Sequence, residues 1–142
     1  MESVKVSEYM QHHPVTFTPD MTVVAAVEKL LETHQIGGPV IDDKKHVIGF
    51  LSEQDCLKQM LDATYQNESH STVNEVMRKD VITVSPHSGI FELAQDMTGL
   101  KPKIYPVVNE DGILLGTITR INVLKALDMH LHSIYEQGHR FV

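Results

Sequence analysis

Ser52 and Asp55 are the polar pair whose types and spacing suggest chemistry, three positions apart where the apolar run Val47–Leu51 gives way to a helix-forming stretch. One interpretation is a capping box, in which both side chains satisfy free N–H groups of the first helical turn. The other is ligand binding: a helix N-terminus attracts phosphate, and a carboxylate accepts hydrogen bonds from two sugar hydroxyls. Capping boxes favour the longer Glu or Gln at the second position, so Asp55 points towards binding.

The pair has a counterpart, Thr119 and Asn122, because the chain repeats itself. GFLSEQDCLK at 49–58 aligns with GTITRINVLK at 116–125, an offset of 67, and the same offset aligns VSEYM (6–10) with VNEVM (73–77). One ungapped register along the chain indicates an internal duplication. We therefore divide the chain into a first unit, residues 1–67, and a second unit, residues 68–142.

Each unit shows the pattern strand, helix, strand, strand, helix, so we expect a mixed α/β (α+β) fold. In the first unit these elements are a strand at 15–17, a helix capped by Thr22 and stopped at 37–39, strands from Pro39 and at 47–51, and a helix from Gln54. The second unit has a strand around Ile82, a helix capped by Ser88, strands from Pro106 and at 114–118, and a helix from Ile121. Turns are expected at 42–45 and 109–112, and a polar linker at 64–72.

A unit of roughly 65 residues buries too little apolar surface to be stable on its own. We therefore expect the two units to pack together as one pseudo-symmetric body, with equivalent clefts that suit ligands.

Composition excludes several classes of protein. The chain has 142 residues, 42% hydrophobic and 22% charged, with a net charge of −7 that disfavours non-specific nucleic-acid binding. No apolar run approaches the roughly 20 residues of a membrane span, and the first residues do not resemble a signal peptide, so we expect a cytoplasmic protein. The nine histidines form no metal-ligand pattern, and the single Cys56 excludes an internal disulfide. We expect neither a metal nor a cofactor.

The ordered motifs resemble those of a tandem CBS-domain pair, known as a Bateman module. Those motifs are Val-x-x-x-Met, Thr-x-x-Pro, Pro-Val at the second strand, and Gly-x-x-Ser/Thr-x-x-Asp. The resemblance implies a regulatory module, not an enzyme, that binds an adenosine-containing ligand such as AMP, ADP, ATP or S-adenosylmethionine. It also implies a homodimer formed through the repeat helices, and an effector protein that responds to the ligand. The alternative is a dimerisation or interaction module without a nucleotide site.

The resemblance also implies the site residues. In CBS pairs the Asp of the last motif holds the ribose, and the Ser or Thr lies near phosphate. One site would combine Ser52 and Asp55 with residues of the other unit: Val81, Ile82, Lys103, Ile104, Tyr105 and Pro106. The opposite site would combine Thr119 and Asn122 with Pro14, Val15, Ile36, Gly37, Gly38 and Pro39. Asn122 departs from the motif and lacks a charge, so this second site should be weaker or empty.

Charged residues are distributed unevenly between the two halves of the chain. Residues 1–71 hold 5 basic and 11 acidic residues, a net of −6, whereas residues 72–142 hold 7 and 8, a net of −1. The basic residues before the site strands of the second unit either attract phosphate or form a solvated face; they are Arg78, Lys79, Lys101 and Lys103.

Cys56 aligns with Val123, so we expect it to be a core residue and not a nucleophile.

Overall fold

The computed structural model describes residues 4–66, 70–99 and 101–140 and contains two similar units of helices and strands. The first unit contains a 3₁₀ helix (Val6–Glu8), α1 (Val23–Thr33), β1 (Gly37–Ile41), β2 (Val47–Ser52) and α2 (Glu53–Gln66). The second unit contains α3 (Val73–Val76), α4 (Ile90–Met97), β3 (Ile104–Val108), β4 (Leu114–Thr119) and α5 (Arg120–Arg140). The predicted mixed α/β fold is confirmed.

Each unit is built on one antiparallel strand pair. Gly38 lies opposite Leu51 in the β1–β2 pair, and Tyr105 lies opposite Ile118 in the β3–β4 pair. Polar turns join the strands where the sequence predicts them, and these turns meet: the Val47 N–H donates to the Gly112 carbonyl at 3.1 Å. Backbone hydrogen bonds therefore join the turn ends of the two hairpins across the boundary between the units.

The strands predicted at the start of each unit are reduced to single bridge residues. Phe17 bridges Val40, and Val84 bridges Val107, both in parallel orientation. The Phe17 N–H donates to Pro39 O at 3.0 Å, and its carbonyl accepts from Ile41 N–H at 2.9 Å. Pro14 and Pro19 flank the first of these short β-branched runs, and Pro86 follows the second, so each run is short and only one of its residues joins the hairpin.

The helix caps are partly as predicted. Thr22 Oγ1 accepts from the Ala25 N–H at 3.1 Å, as the sequence predicts. The prediction for Ser88 is wrong, since Gly89 is the N-cap residue of α4 and no side chain caps the helix there. Helix α1 ends earlier than expected because His34 adopts a left-handed conformation (φ 56°), which leaves the glycines at 37 and 38 in β1.

The predicted linker begins later than expected. Helix α2 continues to Gln66, and the Thr64 hydroxyl donates to the Met60 carbonyl at 2.8 Å within its last turn. The part of the linker at 67–69 lies outside the described residues. The remainder, His70–Thr72, leads into α3.

The Val-x-x-x-Met segments are exchanged between the units. Val6 is fully buried in the core of the second unit, among Ile90, Tyr105 and Ile118. Val73 is equally buried in the core of the first unit, with Met77 packed at its edge. Each core is therefore completed by a segment from the start of the other unit, which ties the two units together.

Candidate functional site

Ser52 and Asp55 form a reciprocal capping box at the start of α2. Asp55 Oδ2 accepts from the Ser52 N–H at 3.1 Å and from the Ser52 hydroxyl at 2.8 Å. The Asp55 N–H donates back to Ser52 Oγ at 3.1 Å. The shorter Asp thus closes the box fully, and its length is no argument against a capping role. One carboxylate oxygen, Oδ1, takes no part in the box.

Thr119 and Asn122 form the same box at the start of α5. Asn122 Oδ1 accepts from the Thr119 N–H and from the Thr119 hydroxyl, both at 2.9 Å. The Asn122 N–H donates to Thr119 Oγ1 at 3.2 Å. The box geometry thus tolerates either Asp or Asn, and the two units differ there in charge and not in backbone arrangement.

A cleft of about 330 Å³ opens where the box of the first unit faces the second unit. Apolar side chains supply part of its wall, and basic and acidic groups supply the rest. The lining residues are Ile36, Phe50, Ser52, Glu53, Gln54, Arg78, Asp80, Val81, Ile82, Lys101, Pro102, Lys103, Ile104 and Pro106. The structure therefore brings together six of the eight residues predicted for this site: Ser52, Val81, Ile82, Lys103, Ile104 and Pro106.

Comparison with known proteins identifies the repeated unit. A family model described as the CBS domain matches residues 6–62 and again residues 73–129. The chain belongs to the CBS domain family. The predicted tandem CBS pair, or Bateman module, is confirmed.

Solved CBS pairs have the same fold. The crystal structure of the CBS-pair protein CBSX2 from Arabidopsis thaliana superposes with a TM-score of 0.79 at 26% identity, covering 92% of this chain and 99% of that one. The crystal structure of CBSX2 in complex with AMP gives a TM-score of 0.76 at 27% identity, covering 88% and 96%. An uncharacterized protein of Methanocaldococcus jannaschii is 28% identical over 122 residues, 86% of this chain and 42% of that protein. The chain thus spans less than half of that relative's length.

Two residues predicted for the first cleft, Asp55 and Tyr105, are not among its lining residues. Asp55 lies in the first turn of α2, and its Oδ1 accepts from Nε of the lining residue Arg78 at 3.4 Å. The Tyr105 side chain is only 2% exposed and packs in the core of the second CBS unit, so it is directed away from the cleft. Burial and the nearby Asp96 carboxylate raise the pKa of the Tyr105 phenol.

The residues predicted for the second site are less open to a ligand. Val15 packs in the core of the first CBS unit, and the Gly38 α-carbon lies against the Val15 carbonyl with no room for a Cβ. Gly37 and Pro39 are also buried, and Pro14 is half-buried. Ile36, predicted for this second site, instead lines the first cleft.

Sequence reasoning missed several lining residues, and for one of them the signal was present. Strand β2 alternates, with Gly49 and Leu51 buried and Phe50 and Ser52 half-buried on the opposite face. Phe50 therefore shares the face of Ser52 and belongs to the cleft. The others not predicted for the site are Glu53, Gln54, Arg78, Asp80, Lys101 and Pro102. Of the four basic residues singled out by charge, Lys79 is the one that does not line this cleft.

Cys56 occupies the core position predicted for it. Its side chain is 3% exposed in the core of the first CBS unit. Burial, together with the Asp55 charge, raises the pKa of the thiol to about 11, so it is protonated at neutral pH. A protonated, buried thiol is a poor nucleophile.

Within residues 4–66, 70–99 and 101–140, no group of three or more His, Cys, Asp or Glu side chains is arranged to hold a metal ion. No helix in the same ranges is both long enough and apolar enough to span a bilayer.

Proposed function

We propose that this CBS pair is a regulatory module that binds an adenosine nucleotide in the first cleft and signals its presence to an effector protein. The observation that carries the proposal is the position of the Ser52–Asp55 box, which faces a cleft walled by the second CBS unit. The AMP complex of CBSX2, a CBS pair of similar fold and length, supports adenosine as the ligand class.

The cleft offers suitable chemistry for each part of such a ligand. Ile36, Val81 and Ile82 provide apolar surface on which adenine can pack. Asp55 Oδ1 takes no part in the capping box, and ribose hydroxyls can donate to it in place of Arg78 Nε, its partner in this structure. Phosphate would meet the start of α2 and the basic side chains of the cleft wall. Binding, and not catalysis, is the activity we propose.

The second site is proposed to be weak or unused. Asn122 offers one neutral acceptor oxygen, and the box already engages it twice. Hydrogen bonds to charged groups contribute about 1.5–3 kcal/mol against about 0.5–1.5 kcal/mol for neutral pairs. A ribose diol at Asn122 would therefore be held at least about tenfold more weakly than at Asp55.

The exposed apolar surface of α2 and α5 favours a second candidate function, a ligand-free dimerisation module. Leu57 and Leu61 on α2 are 64% and 52% exposed, and Ile121 and Leu124 on α5 are 71% and 62% exposed. Residues three or four positions apart share one helix face, so each helix presents an apolar stripe. We propose a homodimer through α2 and α5, which is compatible with nucleotide binding. The effector protein and the cytoplasmic location stay predictions.

Thermal unfolding with and without nucleotides tests the proposed function. A ligand at 100 times its dissociation constant stabilises the folded state by about 2.7 kcal/mol. We expect AMP, ADP or ATP to raise the melting temperature of the wild type, and GMP at the same concentration to raise it less. The matched variant Asp55→Asn should show a smaller shift with AMP. Equal melting temperatures with and without every adenosine ligand would favour the ligand-free module.

A further inference from the structure

The carboxylate of Asp55 divides its two oxygens between two structural roles. Oδ2 closes the capping box of α2, whereas Oδ1 accepts from Arg78 Nε at 3.4 Å. The two residues belong to different CBS matches, 6–62 and 73–129, so this ion pair joins the units at the edge of the cleft. Asp55 is mostly buried, with 15% of its side chain exposed, but the Arg78 side chain is 61% exposed.

Arg78 has a fixed backbone and a largely exposed side chain. Its N–H donates to the Phe50 carbonyl and its carbonyl accepts from the Phe50 N–H, both at 2.9 Å. These bonds hold the α-carbon beside β2 while the guanidinium extends along the cleft wall. The side chain can therefore change partners without any change in the backbone.

The equivalent pair on the opposite side of the pseudo-symmetric body lacks both charges. The position equivalent to Arg78 is Gln11, and the position equivalent to Asp55 is Asn122. Gln11 keeps the backbone arrangement, exchanging hydrogen bonds with Thr117 at 2.7 and 3.0 Å. The same backbone bonds and helix cap therefore form with a neutral amide at each place, so this arrangement does not require either charge.

Two further cations stand on the same wall. Lys101 and Lys103 both line the cleft, and Arg120 holds their segment: its Nη2 donates to Lys101 O at 3.2 Å and its N–H to Lys103 O at 3.0 Å. The acidic lining residues are Glu53 and Asp80. The lining side chains thus carry three positive charges and two negative charges. Asp55, which is not a lining residue, is not included in this count.

We infer that the first cleft selects adenosine bearing a 5′-phosphate over uncharged or cationic adenosines, and that Arg78 is the residue that makes this selection. When the ribose hydroxyls take Asp55, Arg78 loses its carboxylate partner. A phosphate replaces that partner with another anion, which a guanidinium binds well. Adenosine and 5′-methylthioadenosine offer no replacement. S-adenosylmethionine brings one carboxylate together with two cationic groups, the sulfonium and the ammonium, so its net charge is positive and it suits the basic wall less well than a phosphate. The inference rests on the proposed function.

Calorimetric titration of AMP and adenosine into the wild type, Arg78→Gln and Lys79→Gln tests this inference. Arg78→Gln reproduces the residue found at Gln11, and Lys79 is an exposed neighbour outside the cleft. We expect the wild type to bind AMP at least tenfold more tightly than adenosine. Arg78→Gln should weaken AMP at least tenfold without weakening adenosine, Arg78→Lys should restore part of the preference for AMP, and Lys79→Gln should leave both affinities unchanged.

Three results of this titration would contradict the expectations. Equal affinities for AMP and adenosine in the wild type would overturn the inference while leaving the proposed function intact. An Arg78→Gln variant that weakens both ligands alike would also overturn it, because the residue would then support the cleft and not select phosphate. If the wild type binds neither ligand, the proposed function fails as well.

Discussion

The Asp55 carboxylate and the Asn122 amide occupy equivalent places and cap their helices in the same way, each accepting from the N–H and hydroxyl of the residue three positions earlier. Replacing Asp55 by Asn should therefore preserve the cap of α2. We expect Asp55→Asn to change the free energy of unfolding by less than about 1 kcal/mol, measured by urea denaturation.

Ser52→Ala serves as the control for this prediction. It removes the hydroxyl that accepts from the Asp55 N–H, and losing an N-cap side chain costs about 0.5–2 kcal/mol. A loss of 2 kcal/mol or more in Asp55→Asn would show that the carboxylate charge, and with it the Arg78 pair, is needed for folding.

The two units, their hairpins and the Thr22 cap could be predicted from the sequence, because they depend on local patterns that occur twice. The direction of Tyr105 could not. Ile104 and Tyr105 are 5% and 2% exposed and Pro106 is fully buried, so both faces of β3 are covered and no alternation marks the side that meets the cleft. Burial on both faces removes the period-two signal.

Contacts between the units were also beyond local reasoning. Arg78 reaches Asp55 because its backbone pairs with Phe50, a partner that no neighbouring residue indicates. The same holds for Val6, which completes the core of the second unit and not of its own. Such contacts depend on how the units pack, and the repeat specifies only that they are similar.

Cys56 should react slowly with thiol reagents in the folded protein. Its side chain is 3% exposed, and its pKa is raised to about 11. We expect alkylation by iodoacetamide at pH 8 to be at least tenfold faster in urea than in native buffer. Equally fast labelling in both conditions would contradict the core position.

The same thiol should make stability depend on alkaline pH. Since its pKa is higher in the folded chain than the ordinary value of 9.0, it favours folding below that value and loses this contribution as pH rises towards 11. The control is Cys56→Val, which copies Val123. Urea denaturation between pH 8 and 10.5 should show a smaller decline in this variant than in the wild type, and an identical decline would remove Cys56 as its source.

Gly116 should be intolerant of any side chain. A Cβ there would collide with the Gln11 carbonyl, which pairs with Thr117, whereas nothing lies within 4 Å of a Cβ at Gly99. Crowding a packed site costs about 1–3 kcal/mol. We expect Gly116→Ala to lower the free energy of unfolding by that amount and Gly99→Ala to leave it nearly unchanged. Equal effects would contradict the close packing of the N-terminal segment on β4.

The proposed dimer depends on the apolar stripes of α2 and α5. Sedimentation at micromolar concentration should give twice the 16.0 kDa mass of one chain. Leu124→Glu places a charge in the stripe of α5 and should shift the protein towards the monomer, whereas Lys44→Glu in an exposed turn should not. A wild type that sediments near 16.0 kDa would contradict the dimer.

Calorimetric titration of AMP into the wild type and Asp55→Asn tests the central claim most directly, because the variant should remain folded. The proposal predicts one AMP per chain in the wild type and an affinity at least about tenfold lower in Asp55→Asn, the result of losing a charge-assisted bond to ribose. A wild type that releases no heat with AMP, or a variant that binds AMP as tightly as the wild type, would contradict it.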